Sequence, residues 1–146
     1  MLCLPDINVL IALADPAHAF HAATRLWLSS HPRLGLATCP LTENGFLRIY
    51  GHPSYPGGPG SPALARMDLR VYRKRRGHRF LPCDISFDDP RFLDLTNVTP
   101  RQLTDLYLVA LAVQHKMRFV TFDRTIPVTR VKHGAAGIEV LATTPE

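Results

Sequence analysis

Five short apolar runs, separated by stretches that carry helical signals, constrain this chain more than any other feature. MLCL (Met1 to Leu4), LGLATC (Leu34 to Cys39), RFLPCD (Arg79 to Asp84), RFVTFD (Arg118 to Asp123) and GIEVLAT (Gly137 to Thr143) read as strands. Strands that alternate with helical segments predict a parallel sheet with both faces covered by helices. At 146 residues the chain is about one domain long. The expected fold is therefore α/β, a single domain over residues 1–146 built as a three-layer sandwich around a mainly parallel sheet of about five strands.

The segments between the strands carry start and stop signals. Pro5 closes the first strand, because proline cannot feed a central ladder. Asp15 and Pro16 read as an N-cap and first-turn pair, predicting a helix to about Ser30 that buries Phe20 and Trp27. LTENGFLRIY (Leu41 to Tyr50) reads as a helix with Thr42 as its cap and Glu43 in its first turn. GHPSYPGGPGSP (Gly51 to Pro62) is too rich in Gly and Pro for regular structure and reads as a loop. Ser61 and Pro62 open a helix that carries RVYRKRRGHR and stops at Gly77. Thr99, Pro100 and Gln102 match a capping box with proline at the first helical position, so a helix starts there and runs to about Lys116.

Four acids stand where this layout concentrates chemistry. Asp6 follows the first strand, Glu43 opens a helix, Asp123 ends the FVTF strand, and Asp105 lies in LTDLYLVALAV, a helix apolar nearly all round. In an open parallel sheet, ligands bind beyond the carboxyl ends of the strands, which puts Asp6, Glu43 and Asp123 at one edge, while Asp105 points from a buried helix surface about two turns from an end that faces the same edge. Converging carboxylates repel and take up protons unless a cation neutralises them. Hard divalent ions such as Mg²⁺ or Mn²⁺ do this with oxygen ligands while leaving positions for water and phosphate. Taken singly, Asp6 also reads as a cap for the next turn, Glu43 as a helix N-terminal acid and Asp123 as a turn residue.

Charge supports the same direction. The chain has 17 Lys and Arg against 12 Asp and Glu, a formal charge of +5. That balance suits a polyanion, and the ten residues RVYRKRRGHR are its main source, although a solvated helix face has the same composition. Cys3, Cys39 and Cys83 follow no CxxC or Cys/His ligand spacing and read as thiols, which with the lack of a basic leader points to the cytoplasm. The apolar run Val9 to Ala14 is far short of the ~20 residues that cross a bilayer. No Ser-His-Asp or Cys-His set suggests itself. His18 and His21 have the spacing of a metal pair or of ordinary helix residues, and Asp84, Asp88 and Asp89 read as turn and cap residues.

The segments LPDINVLIAL, LTENGFLR, LTDLYLVALA and FVTFDRTI resemble the four ordered acidic motifs of PIN-domain ribonucleases, specifically the VapC-like toxins of toxin–antitoxin systems. The resemblance spans most of the chain. It implies that Asp6, Glu43, Asp105 and Asp123 ligate one or two Mg²⁺ or Mn²⁺ ions, and that Asn8 and Thr121 orient those ligands through hydrogen bonds. It implies hydrolysis of RNA phosphodiester bonds, a cognate small antitoxin whose tail enters the cleft, and a homodimer. Thr125 stands where fuller versions of the pattern carry a further acid or asparagine, which would leave a second metal weakly held. Arg48, five residues after Glu43, reads as a contact to phosphate or to a neighbouring acid, or as a surface arginine. Two alternatives stay open: a PIN-like module that binds RNA or protein without cutting, and, less well matched because position 8 is Asn, a haloacid-dehalogenase-like phosphatase.

Overall fold

A computed structural model describes residues 1–143. Its elements in order are β1 (Leu2–Pro5), α1 (Ile7–Ala14), α2 (His21–Ser29), β2 (Gly35–Thr38), α3 (Pro40–Tyr50), α4 (Pro62–Lys74), β3 (Arg79–Phe80), α5 (Leu103–Gln114), β4 (Arg118–Thr121) and β5 (Ile138–Val140). The strands form one all-parallel sheet in the order β3-β2-β1-β4-β5. The α/β expectation is met.

Side-chain alternation along the strands builds both faces. Leu4, Ala37 and Phe119 point to one side, where the apolar surface of α5 packs with Leu81 and Ile126. Cys3, Leu36 and Val120 point to the other, against Val9 and Leu13 of α1 and Trp27 and Leu28 of α2. Behind α1, residues Leu10 and Ile11 meet Phe46, Tyr50, Ala65 and Leu69 of α3 and α4. Helix α1 is therefore wrapped by the sheet on one side and by helices on the other, and Val9 to Leu13 are all buried.

The short junction between β1 and α1 accounts for the main departure from the sequence reading. No helix runs from Asp15 to Ser30; α1 begins directly after Asp6, whose Oδ1 accepts the Ile7 N–H at 2.7 Å. With only Asp6 between strand and helix, the eight-residue α1 continues the apolar run of β1, and so short an apolar run does not distinguish a helix from a strand. Asp15 ends α1 instead of capping the next helix. Its Oδ1 accepts the Ala17 N–H and its Oδ2 accepts the Tyr55 hydroxyl at 2.6 Å, which ties down the loop Gly51 to Gly60. Helix α2 starts only at His21, and Phe20 and Trp27 are half-buried.

Smaller corrections have local causes. The N-cap of α3 is Cys39, with Pro40 at the first position; Thr42 sits at the third, where its hydroxyl accepts the Cys39 N–H at 3.0 Å. Helix α4 ends at Lys74, and Gly77 lies in the following turn with φ +81°, a conformation glycine adopts without strain. Strand β3 is two residues long and stops short of Pro82, which has no N–H to donate. The capping box at Thr99 opens a short 3₁₀ turn, Pro100–Gln102, that feeds α5. The last strand is confined to Ile138–Val140. Cys3 and Cys39 are buried free thiols and Cys83 is half-buried.

Candidate active site

Strand order reverses at β1: β2 and β3 lie to one side of it, β4 and β5 to the other. In parallel sheets the crevice at the carboxyl end of such a reversal, here between β1 and β4, is where ligands bind. Asp6 stands at the end of β1, its N–H still bonded to the Val120 carbonyl at 2.8 Å. Thr121 ends β4, Asp123 lies two residues on, and Asp105 is in the first turn of α5.

Thr121 joins the two strand ends. It is fully buried, donates its hydroxyl proton to Asp6 Oδ2 at 2.9 Å, and accepts the Asp123 N–H at 3.1 Å. The carboxylate of Asp6 thus has Oδ1 held by the Ile7 amide and Oδ2 held by Thr121. Asp123 Oδ1 accepts from both the backbone N–H and the hydroxyl of Thr125, at 2.7 and 2.6 Å. Thr125, the departure from the fuller motif, therefore fixes the rotamer of Asp123.

Electrostatics show that these acids share a field. Burial raises the Asp6 pKa above its ordinary value, the bonds from Thr121 and Ile7 lower it, and Asp123 raises it again. Asp105 is pushed up to about 6, by burial first and then by Asp6 and Asp123. A carboxyl held up by burial and, after it, by two like charges marks a site where positive charge would be favoured.

Glu43 occupies a different environment. It opens α3 beside the end of β2, where its Oε2 accepts the Thr38 hydroxyl at 2.6 Å and pairs with the Arg73 guanidinium at 2.7 Å. The single hydroxyl proton of Thr38 goes to Glu43, so the 2.9 Å contact between Thr38 Oγ1 and His78 Nε2 is a bond donated by His78. Burial, then Arg73, hold the His78 imidazole below its ordinary pKa, against the pull of Glu43. The structure thus groups Asp6, Asp105 and Asp123, and sets Glu43 on the neighbouring strand end with its own cation.

The remaining sequence candidates divide. Thr121 contacts two of the acids as expected. Asn8 is exposed on α1. Arg48 is exposed on another side of α3 from Glu43, lining a shallow hollow with His52 and Tyr55. His18 and His21 are not a metal pair, since His18 lies before α2 and accepts the Phe20 N–H while His21 bonds the Ala12 carbonyl. Thr38, Arg73 and His78 escaped the sequence reading. Thr38 has a signal in retrospect: it ends β2 as Thr121 ends β4, so buried threonines flank β1 on both sides.

Among the described residues, no three His, Cys, Asp or Glu side chains are close enough together to enclose a metal ion as they stand. The donor chemistry nonetheless fits a hard cation, because the three aspartates offer only oxygens and Asp105, raised by burial and then by Asp6 and Asp123, is a carboxylate that a cation would stabilise. No helix of the described residues is long and apolar enough to cross a membrane.

An all-parallel five-stranded sheet with acids at the reversal point is the arrangement expected of a PIN-like α/β fold. Comparison with known proteins agrees. The chain is 42% identical over 132 residues to ribonuclease VapC44 of Mycobacterium tuberculosis, covering 90% of this chain and 92% of that one. It is 38% identical over 142 residues to ribonuclease VapC38 of the same organism, covering 96% and 98%. Ribonuclease VapC39, also from that organism, matches at 38% over 127 residues, 86% and 91% of the two chains. A chain from the crystal structure of VapBC2 from Rickettsia felis, bound to a DNA fragment from their promoter, superposes with a TM-score of 0.50 at 12% identity. That match covers 97% of this chain and all of the other, and shows the fold. No family model matches. The chain belongs to the VapC ribonuclease family.

Proposed function

We propose that this protein is a metal-dependent endoribonuclease, the toxin of a toxin–antitoxin pair, that hydrolyses RNA phosphodiester bonds at the carboxyl edge of β1 and β4. The observation that carries the reading is the meeting of three aspartates at one sheet edge: Thr121 bonds both Asp6 and the Asp123 backbone, and Asp105, raised to about 6 by burial first, also feels the charges of Asp6 and Asp123. Three relatives named as ribonucleases along most of the chain support RNA as the substrate.

Asp6, Asp105 and Asp123 would hold one Mg²⁺ or Mn²⁺, and Glu43 would join them once released from Arg73. The bound cation supplies Lewis-acid polarisation of the scissile phosphate and of the attacking water. The chain's own residues do the rest. Thr121 holds Asp6 Oδ2 and the Asp123 backbone in register, and Thr125 fixes Asp123. Arg73, half-exposed beside the site, can exchange Glu43 for a phosphate oxygen, because a guanidinium binds either oxyanion with the same fork. An antitoxin that blocks this crevice and pairing of two copies of the chain complete the proposed assembly.

The test is incubation of the purified protein with total RNA in Mn²⁺, with Asp6→Asn and Asp105→Asn as controls of demonstrated folding. Cleavage with internal cut sites that disappears in EDTA and in both variants is expected. Cleavage that survives EDTA would reject the metal. A protein that binds RNA without cutting it under any divalent ion would select the non-catalytic module.

A further inference from the structure

The basic run RVYRKRRGHR does not act as one patch. Arg73 is committed to Glu43 and lies 5.1 Å over the Phe80 ring, while Lys74, Arg75 and Arg76 turn to the opposite edge of the sheet, where the amino ends of β2 and β3 begin. Two clefts open there and share Arg75. One, of about 510 Å³, is lined by Pro32, Arg33, Leu34, Arg75, Arg76 and Gly77. The other, of about 410 Å³, carries Arg25 and Lys74 with Arg75 against an apolar wall that includes Leu28 and Tyr72.

Three facts set this region apart. No acidic residue lines either cleft. Among the described residues, none of Arg25, Arg33, Lys74, Arg75 and Arg76 makes an ion pair; the pairs that form use Arg73, Arg91 and Arg130. The Nε of Arg75 is buried with no hydrogen-bond partner among those residues. A buried guanidinium donor left unpaired costs free energy, and here four further cations line the two clefts that share it, none of them in an ion pair.

We infer that these two clefts, joined by Arg75, form a phosphate-binding exosite that holds the RNA backbone at a distance from the cutting site. The inference rests on the ribonuclease reading. Arginine forks match phosphate oxygens bidentately, and two adjacent cationic clefts suit a strand that presents phosphates at regular intervals. An acidic peptide fits less well: β3, the neighbouring sheet edge, is two residues long and offers little backbone for an added strand. Strands of four residues span about 13 Å, so an RNA must run along the flank of the molecule to reach both sites. The exosite therefore governs binding of long RNA and leaves the chemical step alone.

The test uses Arg33→Ala/Arg76→Ala and, separately, Arg75→Met, which keeps the apolar stem. Binding of a fluorescent, 2′-O-methylated, mixed-sequence 20-nucleotide RNA is followed by anisotropy from 50 to 300 mM salt. The double variant is expected to bind on the order of tenfold more weakly at low salt, with the slope of log K against log salt reduced by about 1.4, two contacts at ~0.7 each. Where cleavage is measurable, KM for long RNA rises and kcat stays unchanged. Because the binding arm needs no cutting, its result stands even if the catalytic reading fails. Unchanged affinity and slope in both variants overturn the exosite, as does a 20-residue polyglutamate that binds through the same arginines more tightly than the RNA, which would assign the clefts to an acidic protein.

Discussion

Replacing Asp105 with asparagine is expected to make the metal-free protein more stable at neutral pH while abolishing its activity. The Asp105 pKa rises from 3.8 to about 6 in the folded state. A folded-state value above the unfolded one means that the native structure disfavours the ionised carboxylate. The penalty is absent well below pH 3.8, grows as pH rises toward about 6, and is fully present above that. A shift of about two units corresponds to roughly 3 kcal/mol at 1.36 kcal/mol per unit. Because the carboxyl is partly exposed, solvent screening reduces this to about 1–2 kcal/mol.

Asparagine keeps the shape of the side chain and removes the charge, so the whole penalty should return as stability. Urea unfolding in EDTA at pH 7.5 should show a gain of about 1–2 kcal/mol, equivalent to about 2–8 °C in melting temperature. At pH 4.5, where native Asp105 is already protonated, the gain should fall to about a third. In excess Mg²⁺ the order should invert, since the wild type gains binding free energy that the variant lacks. A variant that is no more stable than wild type at pH 7.5, or whose advantage persists unchanged at pH 4.5, would refute the account of a carboxylate disfavoured by burial and by its acidic neighbours.

Thr121→Val removes the bond to Asp6 Oδ2 and the acceptor for the Asp123 N–H; chemical unfolding should register a loss of about 1–3 kcal/mol, and cleavage should fall more steeply than folding. Gly35→Ala drives a Cβ into the Gly77 carbonyl oxygen at the start of β2, with an expected cost of about 1–3 kcal/mol in urea titration. Tyr55→Phe leaves Asp15 Oδ2 without its 2.6 Å donor, so limited proteolysis should cut faster within Gly51 to Gly60 while the sheet stays intact.

What the sequence disclosed and what it concealed follow from the range of the interactions involved. Asp6 and Asp123 were legible because each follows an apolar strand directly, so their place at the carboxyl edge is a matter of a few residues of local chain. Asp105 was legible because it is the lone carboxylate of a helix otherwise apolar on almost every side. Helix α1 was not, since its eight residues continue the apolar run of β1 with only Asp6 between them, too short a run to tell a helix from a strand. Nor was the partner of Glu43, because Arg73 lies 30 residues away within a run of cations that look alike in one dimension.

That last pairing changes the electrostatic picture drawn from the sequence. Four acids were expected to depend on one source of positive charge; in the structure one of them already has a guanidinium, and the unmet demand is concentrated on the three aspartates at β1, β4 and α5. Arg73→Met separates the two arrangements. If Glu43 competes with Arg73 to join the aspartates, removing the guanidinium should tighten Mn²⁺ binding, read by calorimetry, by about two- to fivefold, the ~0.5–1 kcal/mol released when a partly exposed ion pair need no longer be broken. Catalysis should fall at the same time, because the phosphate loses its fork. Weaker Mn²⁺ binding in that variant would mean that Arg73 positions Glu43 for the ion and does not withhold it.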